Sequence, residues 1–421
     1  MQSPEYRHCG PDGRLALTAV NAGPAPSGNV SFNPKKGEWT VHLADITIFY
    51  AAQGGGVSTY LAAKANWLAR RSRIIHSIVA PAQNNRAAAL HDLHFVQIPS
   101  VPIPGNSSYR MPLSPAVCAA VLRRLQPDLI EAGDPYQSAW AALRIKRESN
   151  IPVVAFYHSD LPQLAGQRFG ANAQALATRY VSHLYRQFDL VLAPSETTLR
   201  RLQAMGVERV LQQPLGVNTR IFSPRCRDLQ LRAQLGLPLD TRLLVYAGRF
   251  TREKRLPLLI QAVQRLGRPY HLLLVGGGEQ LPSSASYTCL PFQNGSPRLA
   301  RLLASCDLLV HAGDSETFGL VVLEAMACGI PVLGVAAGGV GELVDAETGL
   351  LVPPNDAGLL ADGIDSLFRR DLAALGANAR RRMVEKYDWD IIVPQLITHY
   401  GGLLASPQRA ELEASAAYAT E

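Results

Sequence analysis

No stretch of the 421-residue sequence holds the ~20 consecutive apolar residues that a membrane-spanning helix requires. The opening segment, Met1 to His8, lacks the basic-then-apolar order of a secretion signal. The six cysteines (9, 118, 226, 289, 306 and 328) include no close pair. That spacing argues against a zinc site or a disulfide framework and fits a reducing, cytoplasmic setting. No compact basic–aromatic cluster or zinc-finger spacing is found, so a nucleic-acid partner is not expected.

What is present is enough apolar sequence to build real cores: 47% of residues are hydrophobic and 18% charged. The length predicts at least two domains. Charge is unevenly placed. Residues 1–225 carry 23 Lys/Arg and 13 Asp/Glu, a net +10, whereas residues 226–421 carry 18 and 21, a net −3. A basic half beside a slightly acidic one suits an anionic partner, either a phosphate-rich ligand or a lipid surface. Such asymmetry also arises without any function.

Residues 1–40, rich in Gly, Pro, Asn and Ser, read as a loose arm. Strand-like and helix-like segments then alternate. Strands are predicted at Ile46–Tyr50, Ile74–Ala80, Asp128–Ile130, Val153–Phe156 and Leu190–Leu192, and again at Arg242–Tyr246, Leu272–Val275, Leu308–Val310 and Pro331–Val335. A helix is predicted from about Val57 to Arg71. The rhythm is that of parallel sheets covered on both faces. It pauses near 214–224, which divides the chain into units at 41–220 and 221–385, followed by a last helix and a fraying tail over 386–421. Two doubly wound Rossmann-like domains should face each other, with ligands beyond the carboxyl ends of their strands.

Three segments just after predicted strands carry chemistry. The strongest is Glu316-Thr-Phe-Gly-Leu-Val-Val-Leu-Glu324. It is expected to open a helix reaching about Cys328, with Glu316 near the anion-favouring N-terminus and Glu324 about 12 Å further along the axis. That separation exceeds the ~5–9.5 Å of paired glycosidase carboxylates, so the two acids should hold different parts of one long ligand. The second is Gly248-Arg-Phe-Thr-Arg-Glu-Lys-Arg255, in which Arg249 and Lys254 can converge to neutralise a departing diphosphate. The third is Gly54-Gly55-Gly56, where backbone can approach a phosphate closely. It is not a dinucleotide fingerprint: Thr59 stands where the third Gly or Ala belongs, and no acid lies between Asp45 and Asp92 to hold a ribose.

These motifs resemble those of the family 4 glycosyltransferases of GT-B fold, a retaining family with a glutamate–seven–glutamate motif. The resemblance spans roughly residues 45–400. It also rests on Pro214-Leu-Gly-Val-Asn218 with Phe222 and Pro224, on Glu324-Ala-Met-Ala-Cys-Gly-Ile-Pro-Val332, on Gly338-Gly-Val-Gly-Glu342 and on Thr348-Gly-Leu-Leu-Val-Pro353. It implies that Arg249 and Lys254 bind the diphosphate, that Glu316 holds donor-sugar hydroxyls, and that backbone amides of Phe318, Gly319 and Leu320 reach sugar and phosphate. Glu324 would be the ribose ligand. Gly55 and Gly56 would close over the phosphate, and His158, in Tyr157-His-Ser-Asp160 after a strand, would approach the donor sugar. Taken alone, a His after a strand is more often structural. Asn218 replaces the hinge Asp of the pattern, Arg255 the Gly after the lysine, and Ser58 a residue often basic. The single Asp-x-Asp, Asp388-Trp389-Asp390, is read as a helix start with a packing Trp, so no metal and no cofactor are expected.

The expected reaction is transfer of a hexosyl group from a UDP- or GDP-linked donor by front-face substitution. The expected acceptor is a membrane lipid or lipid-linked glycan. An epimerase or hydrolase on the same fold, a polysaccharide-extending transferase and a non-catalytic surface protein are the alternatives. Tyr60, Lys64, Trp67 and Arg71 recur at helical spacing with Arg70 beside them, which predicts a peripheral contact of this helix with an anionic membrane on the inner face of the cell.

Overall fold

The computed structural model describes residues 41–50, 55–71, 74–81, 94–103, 106–282, 284–293 and 295–404. The arm over 1–40, Gly54 and the tail from Ala405 lie outside the described residues. Short apolar runs such as Val153-Val-Ala-Phe156 are buried on both faces, as parallel strands sandwiched between helices must be.

The first sheet is wholly parallel. Its strands are β1 (His42–Ile46), β2 (Ile75–Pro81), β3 (His94–Ile98), β6 (Leu129–Ala132), β7 (Val153–Phe156), β8 (Leu190–Ala193) and β9 (Val210–Gln212), in the order β3-β2-β1-β6-β7-β8-β9. An antiparallel hairpin, β4 (Ser100–Ile103) and β5 (Asn106–Pro112), follows β3. The second sheet comprises β10 (Arg242–Phe250), β11 (Tyr270–Gly278), β12 (Tyr287–Pro291), β13 (Leu308–Val310), β14 (Val332–Val335) and β15 (Gly349–Val352), ordered β12-β11-β10-β13-β14-β15 and also parallel. Two Rossmann-like units in tandem make the GT-B architecture.

Each sheet reverses its winding once, between β1 and β6 in the first and between β10 and β13 in the second. Loops leaving those four strand ends diverge there and open the crevice in which α/β sheets bind ligands. Phe49, Gly55 and Gly56 thereby share a chamber with Arg249, Lys254 and Glu316.

The first strand lies earlier than the sequence suggests. β1 is His42–Ile46, and Ile48, Phe49 and Tyr50 form the turn behind it. Asp134 holds that turn by accepting hydrogen bonds from Ile48 N (2.8 Å) and Tyr136 N (3.0 Å).

The first helix, Gly56–Arg71, does not present the expected stripe to a membrane: Tyr60, Lys64 and Trp67 are buried, Arg70 is exposed, and the Arg71 side chain lies outside the described residues. Lys64 Nζ donates to Asp45 Oδ1 and to the Tyr400 hydroxyl, both at 2.7 Å, and lies 3.5 Å from Glu131. Tyr60 and Tyr400 donate to the same Glu131 carboxylate, and His76 Nε2 is 2.5 Å from Asp45. Burial pushes the Asp45 carboxyl up, but the charges of Lys64 and His76 outweigh it and hold the group down at about 2. The stripe is thus the anchor for the last helix, Trp389–Gly401, which carries Tyr400 back onto the first domain. Trp389 packs on Gly216, where a β-carbon would meet its ring at 2.7 Å, and Asp388 caps the helix by accepting from Asp390 N. This is the helix-start role expected of that acid pair.

Candidate active site

The crevice holds two adjoining chambers of about 590 and 430 Å³, sharing Gly55, Gly56, Gly248, Phe292, Leu320 and Val321 as walls. The smaller chamber brings together His158, Arg249, Lys254, Glu316, Phe318 and Gly319. The larger contains Glu324, Ser58 and Asn218. Every described residue singled out in the sequence for donor binding or catalysis thus lines one chamber or the other.

Glu316 lies in the loop after β13, not at a helix start. The helix begins at Leu320, with Gly319 at φ 101 as its cap, and ends at Ala327 with Cys328 capping. The helical ruler between the two glutamates therefore fails, although Glu324 does sit mid-helix. Gly338 and Gly339 support the Glu316 loop: β-carbons there would lie 2.4 Å from Glu316 O and 2.5 Å from Phe318 Cα. Only glycine permits that approach.

Lys254 Nζ is in direct ionic contact with Glu316 Oε1, and His311 Nε2 lies 3.2 Å from the same oxygen. Burial pushes the Glu316 carboxyl up, but the lysine charge and the His311 hydrogen bond more than reverse this and hold it well below the carboxylate range. Glu316 is therefore an ionised acceptor for hydroxyl protons. Arg249 reaches into solvent at the chamber mouth, 66% exposed and 3.9 Å from Glu253. Arg255, where the family pattern has Gly, is in the left-handed region at φ 53, and its guanidinium pairs with Asp314 at 3.3 Å. The ion pair offsets the strain that glycine avoids.

Glu324 is half-buried in an apolar helix with no hydrogen-bond partner among the described residues, and burial pushes its carboxyl up to about 8. His158 stacks on Phe156 with ring centroids 4.2 Å apart, and its buried Nε2 has no partner among the described residues. Burial holds it neutral by lowering its pKa to about 3. Its neighbour Asp160 caps the Leu161–Phe169 helix and pairs with Arg201 at 2.7 Å, so the His-Ser-Asp run is one site residue beside a cap.

Several residues at the crevice escaped the sequence reading. His311 was detectable, since it follows a correctly placed strand. The contacts across the crevice were not. Thr317 Oγ1 donates to His158 O at 3.0 Å, and Gln163 and Gln167 donate to Ser315 Oγ at 3.2 and 2.6 Å. Glu342 accepts from Glu196 N (2.8 Å) and Thr197 N (2.6 Å), capping a first-domain helix from the second domain. No run of sequence joins those partners.

Comparisons with known proteins agree with this geometry. The profile described as Glycosyltransferase Family 4 matches residues 54–221, and that described as Glycosyl transferases group 1 matches residues 228–386. A GDP-mannose-dependent alpha-mannosyltransferase of Mycobacterium tuberculosis is 29% identical over 369 residues, covering 86% of this chain and 96% of the relative. A protein of the same description from Mycolicibacterium smegmatis is 30% identical, covering 76% and 85%. A GDP-mannose-dependent alpha-(1-6)-phosphatidylinositol dimannoside mannosyltransferase of M. tuberculosis is 25% identical, covering 89% and 100%. Among solved structures, a sucrose-phosphate synthase from Thermosynechococcus elongatus superposes with a TM-score of 0.74 at 25% identity, over 86% of this chain and 99% of that one. With two Rossmann-like domains, a shared crevice and both halves matched, the chain belongs to the group 1, family 4 glycosyltransferases of GT-B fold and is a hexosyltransferase that draws its sugar from a nucleotide-sugar donor.

Proposed function

We propose that the enzyme transfers mannose from GDP-mannose, with retention of configuration, to a lipid or lipid-linked acceptor. The observation that carries the reading is the ion pair of Lys254 with Glu316, the latter held from behind by His311, in one chamber with His158, whose Nε2 has no partner among the described residues. Such a chamber suits a sugar: an ionised carboxylate to accept hydroxyl protons on one wall and a neutral imidazole on the other. Lys254 and Arg249 receive the diphosphate, with amides of Phe318, Gly319 and Leu320 and the Gly55–Gly56 helix start closing on its oxygens. Glu324, in the larger chamber, takes the ribose.

In this reaction the bond from C1 to the diphosphate oxygen breaks, and the acceptor oxygen bonds C1 on the same face. The acceptor proton passes to the leaving phosphate oxygen. Lys254 and Arg249 stabilise the charge that develops there. No carboxylate is assigned as a nucleophile, because Glu316 is bound to Lys254 and His311. The mannose donor is supported by the relatives' descriptions, and the lipid acceptor by the phosphatidylinositol dimannoside enzyme among them. The test offers GDP-mannose, UDP-glucose and ADP-glucose with a phosphatidylinositol-type acceptor and with a soluble oligosaccharide. NMR of the first product should show an α-linked mannoside on the lipid. A β-mannoside overturns retention, and equal turnover of donor without acceptor favours a hydrolase.

A further inference from the structure

We infer that the helical hairpin over residues 161–185 is the surface by which the enzyme docks on an anionic phospholipid bilayer. The inference rests on the lipid-acceptor reading and places the contact on a surface other than the first helix, whose Lys64 is internal.

Helices Leu161–Phe169 and Ala171–Tyr185 are joined by Gly170 alone, at φ 88. At the tip Phe169 is 72% exposed, and Leu176, on the second helix, is 70% exposed. Arg168 lies over the Phe169 ring, its guanidinium carbon 5.6 Å from the centroid. Asn172, Ala175, Leu176, Arg179 and His183 form an outward stripe at helical spacing. Residues 161–188 include Arg168, Arg179 and Arg186 but not one Asp or Glu. Arg186 is engaged by the carbonyls of Met205 and Gly206. Arg168 and Arg179 have no acidic partner among the described residues.

An aromatic and an aliphatic side chain flanked by arginines without an acidic partner among the described residues, on a hairpin that itself holds no acid, match an interface of acyl chain below and phosphate above. Three exposed large apolar side chains, Leu164, Phe169 and Leu176, fall well short of the ~800 Å² per partner of a stable protein interface. The base of the hairpin continues into the crevice. Leu161 and Leu164 line the chamber that holds His158, Lys254 and Glu316. Leu164 and Phe169 are five residues apart, about 8 Å along a helix, so a headgroup at the tip lies close to the chamber.

The full-length protein is sedimented with vesicles of phosphatidylglycerol and phosphatidylcholine, and with phosphatidylcholine alone, at low and high salt. Binding is expected to the anionic vesicles and to weaken with salt. Each near-surface cation contributes about fivefold, so Arg168→Gln/Arg179→Gln should weaken partition on the order of 30-fold. Phe169→Ser/Leu176→Ser should weaken it without lowering the melting temperature, since both side chains are exposed. Absence of binding, binding unchanged in both double variants, or a dimer by ultracentrifugation that the Ser variant dissolves overturns the inference. Transfer to a lipid acceptor in detergent micelles is measured alongside. Micellar transfer without vesicle binding sinks only the docking surface. Vesicle binding with transfer only to soluble acceptors sinks only the lipid-acceptor reading.

Discussion

Nucleotide binding should be coupled to release of a proton from Glu324. Burial in the Leu320–Ala327 helix pushes this carboxyl up to about 8, with no hydrogen bond among the described residues to bring it down. At pH 7 the group is then about nine-tenths protonated. A carboxylate that accepts two ribose hydroxyls must be ionised, and one pH unit corresponds to about 1.4 kcal/mol. GDP affinity should therefore rise about tenfold from pH 7 to pH 9. Calorimetry at pH 7 in buffers of different ionisation enthalpy should show release of about 0.9 proton per GDP. Glu324→Gln removes both effects and exposes any titration of the nucleotide itself. The sign for stability follows. The raised group holds a proton in the native state that the unfolded chain releases, so its contribution is full below the unfolded value near 4.5 and is lost as pH rises through 8. A wild-type affinity flat between pH 7 and 9, without proton release, would refute the assignment of Glu324 to the ribose.

Glu316→Ala and Lys254→Ala should each reduce transfer by ~10²–10³-fold while the circular dichroism spectrum stays native, and near-wild-type turnover in both removes the site assignment. Activity should survive EDTA; loss that Mg²⁺ or Mn²⁺ restores would show a metal requirement. Glu342→Gln weakens a charge-assisted cap across the crevice, worth about 1.5–3 kcal/mol. It should cut transfer at least tenfold and raise the fraction of donor hydrolysed, with Glu342→Asp intermediate, whereas an unchanged partition between transfer and hydrolysis denies it a role in closure. Lys64→Ala leaves Asp45 and Glu131 buried without their cation and should cost about 3–5 kcal/mol in urea unfolding; a loss under 1 kcal/mol contradicts the buried cluster.

The central strands of both sheets were legible because parallel strands covered on two faces are short continuous apolar runs, and Val153–Phe156 and Leu308–Val310 are found at the predicted bounds. Edge strands were not. β3, His-Phe-Val-Gln-Ile, and β12, Tyr-Thr-Cys-Leu-Pro, mix polar and apolar residues because one side meets solvent or a loop. β1 was shifted because Ile46-Thr-Ile-Phe-Tyr50 has the stronger β propensity, whereas the true strand carries His42 and Asp45. Tertiary pairing overrode local preference: His42–Ile46 aligns with Ile75–Val79 on one side and with β6 on the other. At the site, residues following strand ends were readable one by one, since topology alone carries such positions to the crevice. Their partners were not, because Glu342 and Glu196, or Thr317 and His158, meet only once two domains are folded and closed.

Lys64 shows where a helical pattern stops informing. The spacing of Tyr60, Lys64 and Trp67 states that they share a face, and it is correct. It does not state what that face meets, and a basic stripe facing a membrane has the same spacing as one facing a buried acid. The discriminating signal lay elsewhere in the sequence. Asp45 and Glu131 each interrupt an apolar strand, in Leu43-Ala-Asp-Ile46 and Leu129-Ile-Glu-Ala132. The two strands pair with Asp45 opposite Glu131, so two acids are set side by side in the interior of a parallel sheet. Adjacent buried carboxylates require a buried cation or a proton. Lys64 answers for Asp45, and the Glu131 carboxyl, pushed up to about 6 by burial against the pull of Lys64, takes hydrogen bonds from Tyr60 and Tyr400. A charged residue inside a parallel strand is thus a demand for a partner of opposite sign, and following that demand from Asp45 and Glu131 leads to Lys64 on the inner face of the helix that the same sheet covers.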